Sequence, residues 1–180
     1  MSGGVRVIAG RFGGRRLATP RGRDTRPTAD RVREAVFSIL GPLDGATVLD
    51  LFAGSGALGI EALSRGAAQA TFVERAPAAV RAIRANLAAL GVEADVRARD
   101  VRAFLGDARA AGATYDLAFL DPPYRDAAGL GPALELAPLL AAGGRVVSES
   151  DRRAPLTLPG LEIVDERRYG DTLIRIHRTP

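Results

Sequence analysis

The sequence predicts an α/β fold built on a doubly wound, mostly parallel sheet with helices on both faces. Short apolar segments alternate with helical segments from Thr47 onward, and this alternation is typical of a parallel sheet. Two segments over 161–168 and 172–178 flank a tight Tyr-Gly-Asp turn, which predicts a C-terminal antiparallel hairpin. Two extended segments over 5–9 and 15–19 predict a small N-terminal β-hairpin.

The individual elements follow from spacing and from the residues that end them. Helices are predicted over 28–40, 57–65, 77–90, 101–111 and 130–140, where apolar residues recur at helical spacing. Strands are predicted over 47–52, 70–74, 93–98, 116–120 and 145–149, where short apolar runs lie between turn residues. His177 lies on the last strand and is expected at the surface. We divide the chain into a basic extension over 1–27 and one domain over 28–180.

The composition excludes several classes of protein. A chain of 180 residues has the length of one domain, and 47% apolar with 26% charged residues excludes disorder of the whole chain. The absence of cysteine excludes disulfides, thiolate zinc sites and a cysteine nucleophile, and a single histidine excludes a multi-histidine metal site. No apolar run approaches the roughly 18 residues that span a bilayer, and residues 1–19 lack a signal-peptide core. We therefore expect a cytoplasmic protein with no membrane and no metal.

The positive charge is concentrated at one end of the chain. All 25 basic residues are arginine, and residues 1–33 carry nine of them against two acids, a net charge of +7. The other residues carry 16 arginines against 19 acids, a net charge of −3. A basic leader on a mildly acidic body favours a polyanion partner, with nucleic acid as the first candidate. The alternative is an arginine-biased surface, but a composition bias does not explain why the charge lies at one end.

Acidic residues follow or close the first four predicted strands. Ligands of such sheets bind at the carboxyl ends of the strands, so these acids are expected to share one site. The residues are Asp50, Glu74, Asp100 and Asp121. The first strand also runs into a G-x-G-x-x-G pattern from Gly54 to Gly59 that opens a helix, with Glu74 twenty residues beyond Gly54. This spacing also fits a dinucleotide site.

Asp50 distinguishes between the candidate cofactors. Its carboxylate lies beside the glycine turn and would repel a dinucleotide pyrophosphate, which normally binds at the helix N-terminus. S-adenosylmethionine has no phosphate, and its sulfonium and ammonium groups are attracted by a carboxylate. Glu74 is expected to accept from both ribose hydroxyls and Asp100 from the adenine amino group. The cofactor contacts predicted at these strand ends and in the glycine loop are Asp50, Phe52, Gly54, Ser55, Gly56, Glu74, Asp100 and Val101. The alternative is that the glycines form only a tight turn.

The sequence Asp121-Pro122-Pro123-Tyr124 follows the fourth strand and predicts the catalytic site. Because prolines have no N–H, their carbonyls are available to a ligand. An exocyclic amino group of a base attacks a methyl group only when its lone pair points at the sulfonium. Asp121 and the Pro122 carbonyl are expected to accept hydrogen bonds from the two N–H groups of this amino group, while Tyr124 stacks on the base. The alternative is a proline-rich turn with a structural aspartate.

The chain resembles the bacterial S-adenosylmethionine-dependent guanine-N2 methyltransferases that act on 16S ribosomal RNA. The residues that carry the resemblance are Arg26-Pro-Thr-Ala-Asp-Arg-Val-Arg-Glu, the stretch over 48–67, Asp121-Pro-Pro-Tyr and Tyr169-Gly-Asp-Thr. It implies a Rossmann-like class I methyltransferase fold and methylation of one guanine in the small subunit or an assembly intermediate. It also places Arg26 and Thr28 at the mouth of the site. The predicted RNA contacts are Arg15, Arg16, Arg26, Thr28 and Arg31.

Three functions other than ribosomal RNA methylation share some of these sequence features. An adenine-N6 DNA methyltransferase also uses Asp-Pro-Pro-Tyr, but about 27 leader residues are too few for a usual module that reads base edges. A non-catalytic RNA-binding module is disfavoured by the intact acidic residues. A dinucleotide oxidoreductase is disfavoured by Asp50 and by the lack of an evident hydride-transfer partner.

Overall fold

A computed structural model of the chain describes residues 5–20, 27–123, 130 and 134–180. Its helices are α1 (Pro27–Leu40), α2 (Ala57–Ser64), α3 (Pro77–Leu90) and α4 (Val101–Ala110). Its strands are β1 (Thr47–Leu51), β2 (Gln69–Glu74), β3 (Asp95–Ala98), β4 (Tyr115–Leu120), β5 (Leu140–Asp151), β6 (Glu162–Tyr169) and β7 (Thr172–Arg178). These bounds agree with most of the elements predicted from the sequence.

The described strands form one sheet in the order β3-β2-β1-β4-β5-β7-β6. Strands β1 to β5 are parallel, and β7 pairs antiparallel with both β5 and β6. This confirms the doubly wound sheet and the C-terminal hairpin. The chain passes from β1 outward to β3 and then returns to β4 on the other side of β1. The carboxyl ends of β1 and β4 therefore adjoin at the switch point, where ligands of such sheets bind. We call this edge of the sheet the carboxyl edge.

Apolar residues are buried on both faces of the sheet. Helices α1, α2 and α3 cover one face, where the rings of Phe37 and Phe119 lie 5.5 Å apart. Helix α4 and the apolar residues Leu134, Leu136 and Leu139 cover the other face. Burying each such side chain stabilises the fold by about 1.5–3 kcal/mol. The two layers hold the central strands β1 and β4 rigidly, so the residues at their carboxyl ends have a fixed spacing.

The N-terminal segment packs on α2. Its two halves pair antiparallel through a single bridge between Arg6 and Arg16, which gives the expected hairpin pairing without two full strands. The buried carboxylate of Glu61 accepts hydrogen bonds from the backbone N–H groups of Ile8 at 2.7 Å and Ala9 at 3.0 Å. Removal of Glu61 would leave both donors unpaired, so this residue joins the basic N-terminal segment to α2.

Gly10 lies where the N-terminal segment crosses the end of α2. A Cβ atom built on Gly10 would lie 1.9 Å from the Ser64 carbonyl oxygen, and its φ of +80° is in the left-handed region. Only glycine fits this close approach without movement of backbone. The neighbouring Arg11 and Phe12 N–H groups donate to Ser64 at 2.9 and 3.0 Å.

The helix predicted over 130–140 holds at Leu130, which is helical, but is wrong over residues 134–140. Residues 134–136 form neither helix nor strand, Ala137–Leu139 form one 3₁₀ turn, and Leu140 already begins β5. Pro138 lacks the N–H that a helix interior requires, and it lies in the 3₁₀ turn. Strand β5 is therefore longer than predicted, and a register shift opposite Tyr115 and Leu117 accommodates the added residues.

His177 is buried, with 1% of its surface exposed, although the sequence predicted a surface position. The prediction rested on the general tendency of histidine to be exposed, whereas β7 lies between β5 and β6 inside the sheet. The His177 Nε2 atom is 2.9 Å from Ser148 Oγ. Burial, with a smaller contribution from Arg175, lowers the pKa of His177 from its ordinary value to about 4.

His177 is expected to make folding stability depend on pH. Between pH 4 and 6.5 the unfolded chain protonates this residue while the folded protein keeps it neutral. The free energy of unfolding therefore falls as the pH is lowered through this window, by up to about 3 kcal/mol from this group. Urea denaturation at both ends of the window measures the fall, and His177→Asn should show a smaller one. Equal falls in the two proteins would contradict the prediction.

In the ranges described above, no helix is long and apolar enough to cross a bilayer.

Candidate functional site

Asp50 lies inside the sheet near the carboxyl end of β1, between Phe72 of β2 and Phe119 of β4. Its Oδ2 atom accepts a hydrogen bond from the Gly59 N–H at 2.9 Å. Gly59 belongs to the first turn of α2, whose N–H groups have no partner within the helix. Since the N-cap residue Gly56 has no side chain, Asp50 supplies the missing acceptor from the neighbouring strand.

Gly59 allows α2 to lie directly on the sheet. A Cβ atom at this position would lie 2.4 Å from the ring of Phe72 and 3.1 Å from Asp50 Oδ2. The third glycine of the G-x-G-x-x-G pattern therefore serves close packing between helix and strand. This packing sets the position of the loop over 52–56 above the end of β1.

The loop over 52–56 is strained and is held by Glu74. Phe52 has a φ of +58°, which is rare for a bulky residue and costs about 1–3 kcal/mol. Glu74 Oε2 accepts from the Gly54 N–H at 3.0 Å, and Oε1 accepts from the Ala76 N–H at 2.8 Å. Each carboxylate oxygen has a second acceptor position, so both bonds leave capacity for a ligand. Strain of this kind persists where the surrounding structure fixes a binding loop.

The electrostatics beside the loop favour a cation. Asp50 has 2% of its surface exposed, and burial raises its pKa to about 8. The hydrogen bond from Gly59 lowers the pKa, while the acidic neighbours Asp121 and Glu74 raise it further. A phosphate would add a third negative neighbour to Asp50. A sulfonium or ammonium group would instead compensate the acidic groups, so the residues present fit S-adenosylmethionine.

Asp121, Pro122 and Pro123 follow the last residue of β4, Leu120, which pairs with Leu51 at the end of β1. Strands in one sheet lie about 4.8 Å apart, so the Asp-Pro-Pro segment adjoins the glycine loop. Pro122 is buried, whereas Asp121 and Pro123 are half-buried. The fourth predicted catalytic residue, Tyr124, lies outside the described residues. The structure thus brings Asp50, Glu74 and Asp121 to one region.

Asp100 caps α4 at the outer side of this region. Its Oδ1 atom accepts from the N–H groups of Arg102 at 2.9 Å and Ala103 at 3.4 Å. Its Oδ2 atom lies 3.9 Å from a guanidinium nitrogen of Arg75. Val101, the first residue of α4, is buried. The sequence placed Asp100 two residues after the third predicted strand and Val101 at the start of the next helix, but it missed the capping role of Asp100.

Asn86 is a buried residue that the sequence analysis missed. Its Oδ1 atom accepts from the Ala18 N–H at 2.7 Å, and its Nδ2 atom donates to the Ala18 and Ser55 carbonyls, each at 3.0 Å. Asn86 therefore joins the N-terminal segment to the glycine loop. A single asparagine in an amphipathic helix gives no sequence pattern from which these hydrogen bonds to distant segments could be predicted.

Replacing Asn86 by alanine is expected to lower the free energy of unfolding by about 2–4 kcal/mol, because three half-buried hydrogen bonds to backbone groups are lost. Chemical denaturation measures this change. The matched control is Ser150→Ala, which removes a buried hydroxyl that has no hydrogen-bond partner and should change stability little. Equal effects of the two substitutions would argue against the bonds of Asn86.

Of the predicted RNA contacts, the structure places Arg15 away from the carboxyl edge. Arg15 donates to the Ala89 carbonyl at 2.8 Å, in the last turn of α3, which lies toward the amino ends of the strands. Arg16 and Arg31 are exposed. Thr28 lies in the first turn of α1, and Arg26 lies outside the described residues. Among the residues described, no group of three or more acidic, histidine or cysteine side chains is arranged to hold a metal.

Comparisons with known proteins agree with this architecture. The family model described as "Conserved hypothetical protein 95" matches residues 5–178. The structure of an Escherichia coli chain named "Putative methyltransferase yhhF" superposes with a TM-score of 0.84 at 35% identity, covering 99% of this chain and 100% of that one. This likeness confirms the class I methyltransferase fold that the sequence predicted.

Two curated relatives agree with the resemblance inferred from the sequence. The Bacillus subtilis protein named "Putative rRNA methyltransferase YlbH" is 38% identical over 97% of this chain and 98% of its own. Ribosomal RNA small subunit methyltransferase D of Escherichia coli strain K12 is 44% identical over 69% of this chain. That match spans 62% of the Escherichia coli protein. The chain is therefore a member of the family described as conserved hypothetical protein 95 and a relative of the small-subunit ribosomal RNA methyltransferases.

Proposed function

We propose that this protein transfers a methyl group from S-adenosylmethionine to the exocyclic N2 amino group of a guanine in 16S ribosomal RNA. The observation that carries the proposal is the juxtaposition of Asp50 and Glu74 with the Asp121-Pro122 segment at adjacent strand ends. The first two residues form an acidic surface suited to a cationic cofactor. The third lies one strand away, where a base amino group must be held. The relatives named for ribosomal RNA methylation support the choice of substrate.

The chain's own residues account for cofactor binding. Asp50 stabilises positive charge, and Glu74 accepts from ribose hydroxyls with the acceptor capacity that its two backbone bonds leave. Asp100 accepts from the adenine amino group through the oxygen that faces away from the α4 cap. Phe52, Gly54, Ser55, Gly56 and Val101 shape the walls. When bound, S-adenosylmethionine supplies an electrophilic methyl group on a cationic sulfur.

The Asp121-Pro122-Pro123-Tyr124 segment holds the base. Asp121 and the Pro122 carbonyl each accept a hydrogen bond from one N–H of the amino group, which orients the nitrogen lone pair. Pro123 fixes the backbone, and Tyr124 stacks on the base. Orientation of this kind supplies most of the acceleration, because fixing two reactants in an attack geometry removes several kcal/mol of entropic cost. No residue needs to form a covalent bond to the substrate.

The N-terminal extension over 1–27, with the start of α1, provides the RNA-binding part of this proposal, and residues 28–180 provide the methyltransferase domain. The supporting observation is the net charge of +7 in residues 1–33. We place the reaction in the cytoplasm, on the small subunit or an assembly intermediate. The residues assigned to RNA are Arg15, Arg16, Arg26, Thr28 and Arg31.

Transfer of labelled methyl groups tests the proposal. The substrates are unmethylated small subunits, naked 16S RNA and duplex DNA, and the modified nucleoside is identified after digestion. We expect N2-methylguanosine in RNA, with the preferred RNA form showing at which stage of assembly the enzyme acts. N6-methyladenine in DNA would replace the proposed substrate, and cofactor binding without transfer to any substrate would support a non-catalytic module.

A further inference from the structure

A groove of about 490 Å³ lies at the carboxyl edge, outside the cofactor region. It is lined by four arginines, Arg152, Arg153, Arg168 and Arg175, together with Glu166 and Leu173. Arg152 and Arg153 directly follow β5, and Arg168 and Leu173 flank the turn between β6 and β7. None of these arginines was among the RNA contacts predicted from the sequence.

The sheet order places this groove beside the Asp121 segment. Strand β4 carries Asp121 at its carboxyl end, β5 is the next strand, and β7 follows. Leu120 of β4 pairs with Ser148 of β5, and Ser150 of β5 pairs with Leu173 of β7. Two strand spacings separate β7 from β4 and three separate β6 from β4, so the groove lies on the order of 10–15 Å from the residues that hold the base. A strand of RNA with one base at Asp121 has its neighbouring phosphates within this range.

The charges of the groove fit an anion. Arg152 and Arg153 lie 3.2 and 3.8 Å from Asp171, and Arg168 and Arg175 each lie 2.9 Å from Glu166. A third carboxylate, that of Asp151, accepts from the Arg153 N–H at 2.8 Å, so four guanidinium groups against three carboxylates leave a net charge of +1. The hydrogen bonds from Arg175 and Arg168 lower the pKa of Glu166, so this carboxylate stays ionised and is already paired. The surplus charge is available to a ligand.

The arginines differ in how firmly the fold holds them. Arg175 is 17% exposed and also donates to the Leu156 carbonyl at 3.2 Å, so it is fixed within the groove. Arg152, Arg153 and Arg168 are 51%, 73% and 72% exposed, and ion pairs at such positions contribute little. These three side chains are able to exchange a carboxylate for a phosphate, whose geometry suits the guanidinium fork.

The lining also indicates which part of a nucleic acid is bound. Among the described residues, those that line the groove include no aromatic side chain on which a base would stack. Phosphate contacts position a nucleic acid without reading its sequence. We infer that this groove binds the phosphate backbone of the substrate RNA next to the target nucleotide, so that the C-terminal hairpin, as well as the N-terminal segment, holds the RNA. This inference rests on the proposed function.

The test compares two double variants with equal loss of charge. Arg152→Ala with Arg153→Ala removes two exposed arginines of the groove. Arg109→Ala with Arg178→Ala removes two ion-paired arginines at the amino ends of the strands, on the opposite edge of the sheet. Binding of naked 16S RNA is measured over a series of salt concentrations, and methyl transfer is measured against RNA concentration.

We expect the groove variant to bind RNA about tenfold more weakly at low salt, with the salt slope reduced by about 1.4 for two lost contacts on single-stranded RNA. Its KM for RNA should rise while kcat at saturating RNA is retained, and the control variant should match the wild type. Equal losses in both variants would show a general effect of charge and overturn the inference, as would no loss in either.

Two further outcomes separate the alternatives. If the groove variant binds naked RNA normally but small subunits weakly, the groove contacts a ribosomal protein and the inference is wrong. If the wild type transfers no methyl group to any RNA, the proposed function fails. The two binding slopes then still show whether the groove contacts RNA phosphates.

Discussion

Replacement of Asp121 by alanine is expected to reduce kcat for methyl transfer by about three orders of magnitude, within the range assigned to positioned acid–base groups. The structure places this residue directly after Leu120, beside the glycine loop. Without the Asp121 carboxylate, the amino group of the base has one fewer hydrogen-bond acceptor. Its nitrogen lone pair is then no longer directed at the methyl group. Misplacement by about 1 Å is enough to cost on the order of a hundredfold in rate. Asp121→Asn keeps one acceptor oxygen and should retain more activity than Asp121→Ala.

Cofactor affinity should change little in the same variant. Asp121 contributes to the raised pKa of Asp50, so its removal makes ionisation of Asp50 slightly easier and does not weaken attraction for a cation. Equilibrium dialysis with labelled S-adenosylmethionine measures this affinity beside the rate of transfer. A large loss of binding with Asp121→Ala would assign Asp121 to the cofactor instead of the base.

Asp116 provides a matched control on the same strand. Its Oδ2 atom accepts from the N–H and hydroxyl of Thr47, both at 2.8 Å, at the amino end of β4. Asp116→Ala removes a carboxylate from the opposite edge of the sheet and should leave kcat close to that of the wild type. If Asp116→Ala and Asp121→Ala lose equal activity, the loss reflects damage to β4 and not to base holding.

The sequence predicts the central fold well because its signals are local. Apolar runs, helical spacing and glycines after helices are features of neighbouring residues, and helix α3 was predicted with the bounds that the structure gives. The carboxylates at strand ends were likewise predicted to share one region, since parallel strands end at one edge. Asp50, Glu74 and Asp121 do so.

What the sequence missed depends on contacts between distant segments. His177 is buried because β7 is an interior strand, and strand order cannot be read from a local pattern. Arg33 lies on a polar stretch of α1 yet is buried and donates to the Arg6 carbonyl. Asn86 meets Ala18 across 68 residues of sequence. The arginine-lined groove also forms only when β5, β6 and β7 come together.

Replacement of Asp50 by asparagine is expected to stabilise the folded protein at pH 8, although it removes a proposed cofactor contact. Burial raises the pKa of Asp50 from its ordinary value near 3.8 to about 8, so the folded protein binds a proton that the unfolded chain releases. The free energy of unfolding therefore falls as the pH rises from about 4 to 8, and the lowered value persists above pH 8. The contribution reaches several kcal/mol, at about 1.4 kcal/mol for each unit of pKa. Asparagine does not titrate, and its side-chain oxygen still accepts from Gly59.

Chemical denaturation at pH 5, 6.5 and 8 measures the difference in free energy of unfolding between the wild type and Asp50→Asn. The difference should grow in favour of Asp50→Asn as the pH rises, while contributions common to both proteins, such as that of His177, cancel. Asp116→Asn is the control, because hydrogen bonds from Thr47 lower the pKa of Asp116 and its titration falls below this range. Parallel stability curves for wild type and Asp50→Asn would show that Asp50 ionises in the fold without penalty.

The same titration links Asp50 to the cofactor. A bound cation favours the ionised carboxylate, so binding of S-adenosylmethionine should release a proton near neutral pH and become tighter from pH 6 to 8 in the wild type. Asp50→Asn should bind more weakly, and its affinity should not change with pH in this way. An affinity that rises equally with pH in both proteins would assign the titrating group elsewhere, and one that is flat in both would show that Asp50 does not face the cationic part of the cofactor.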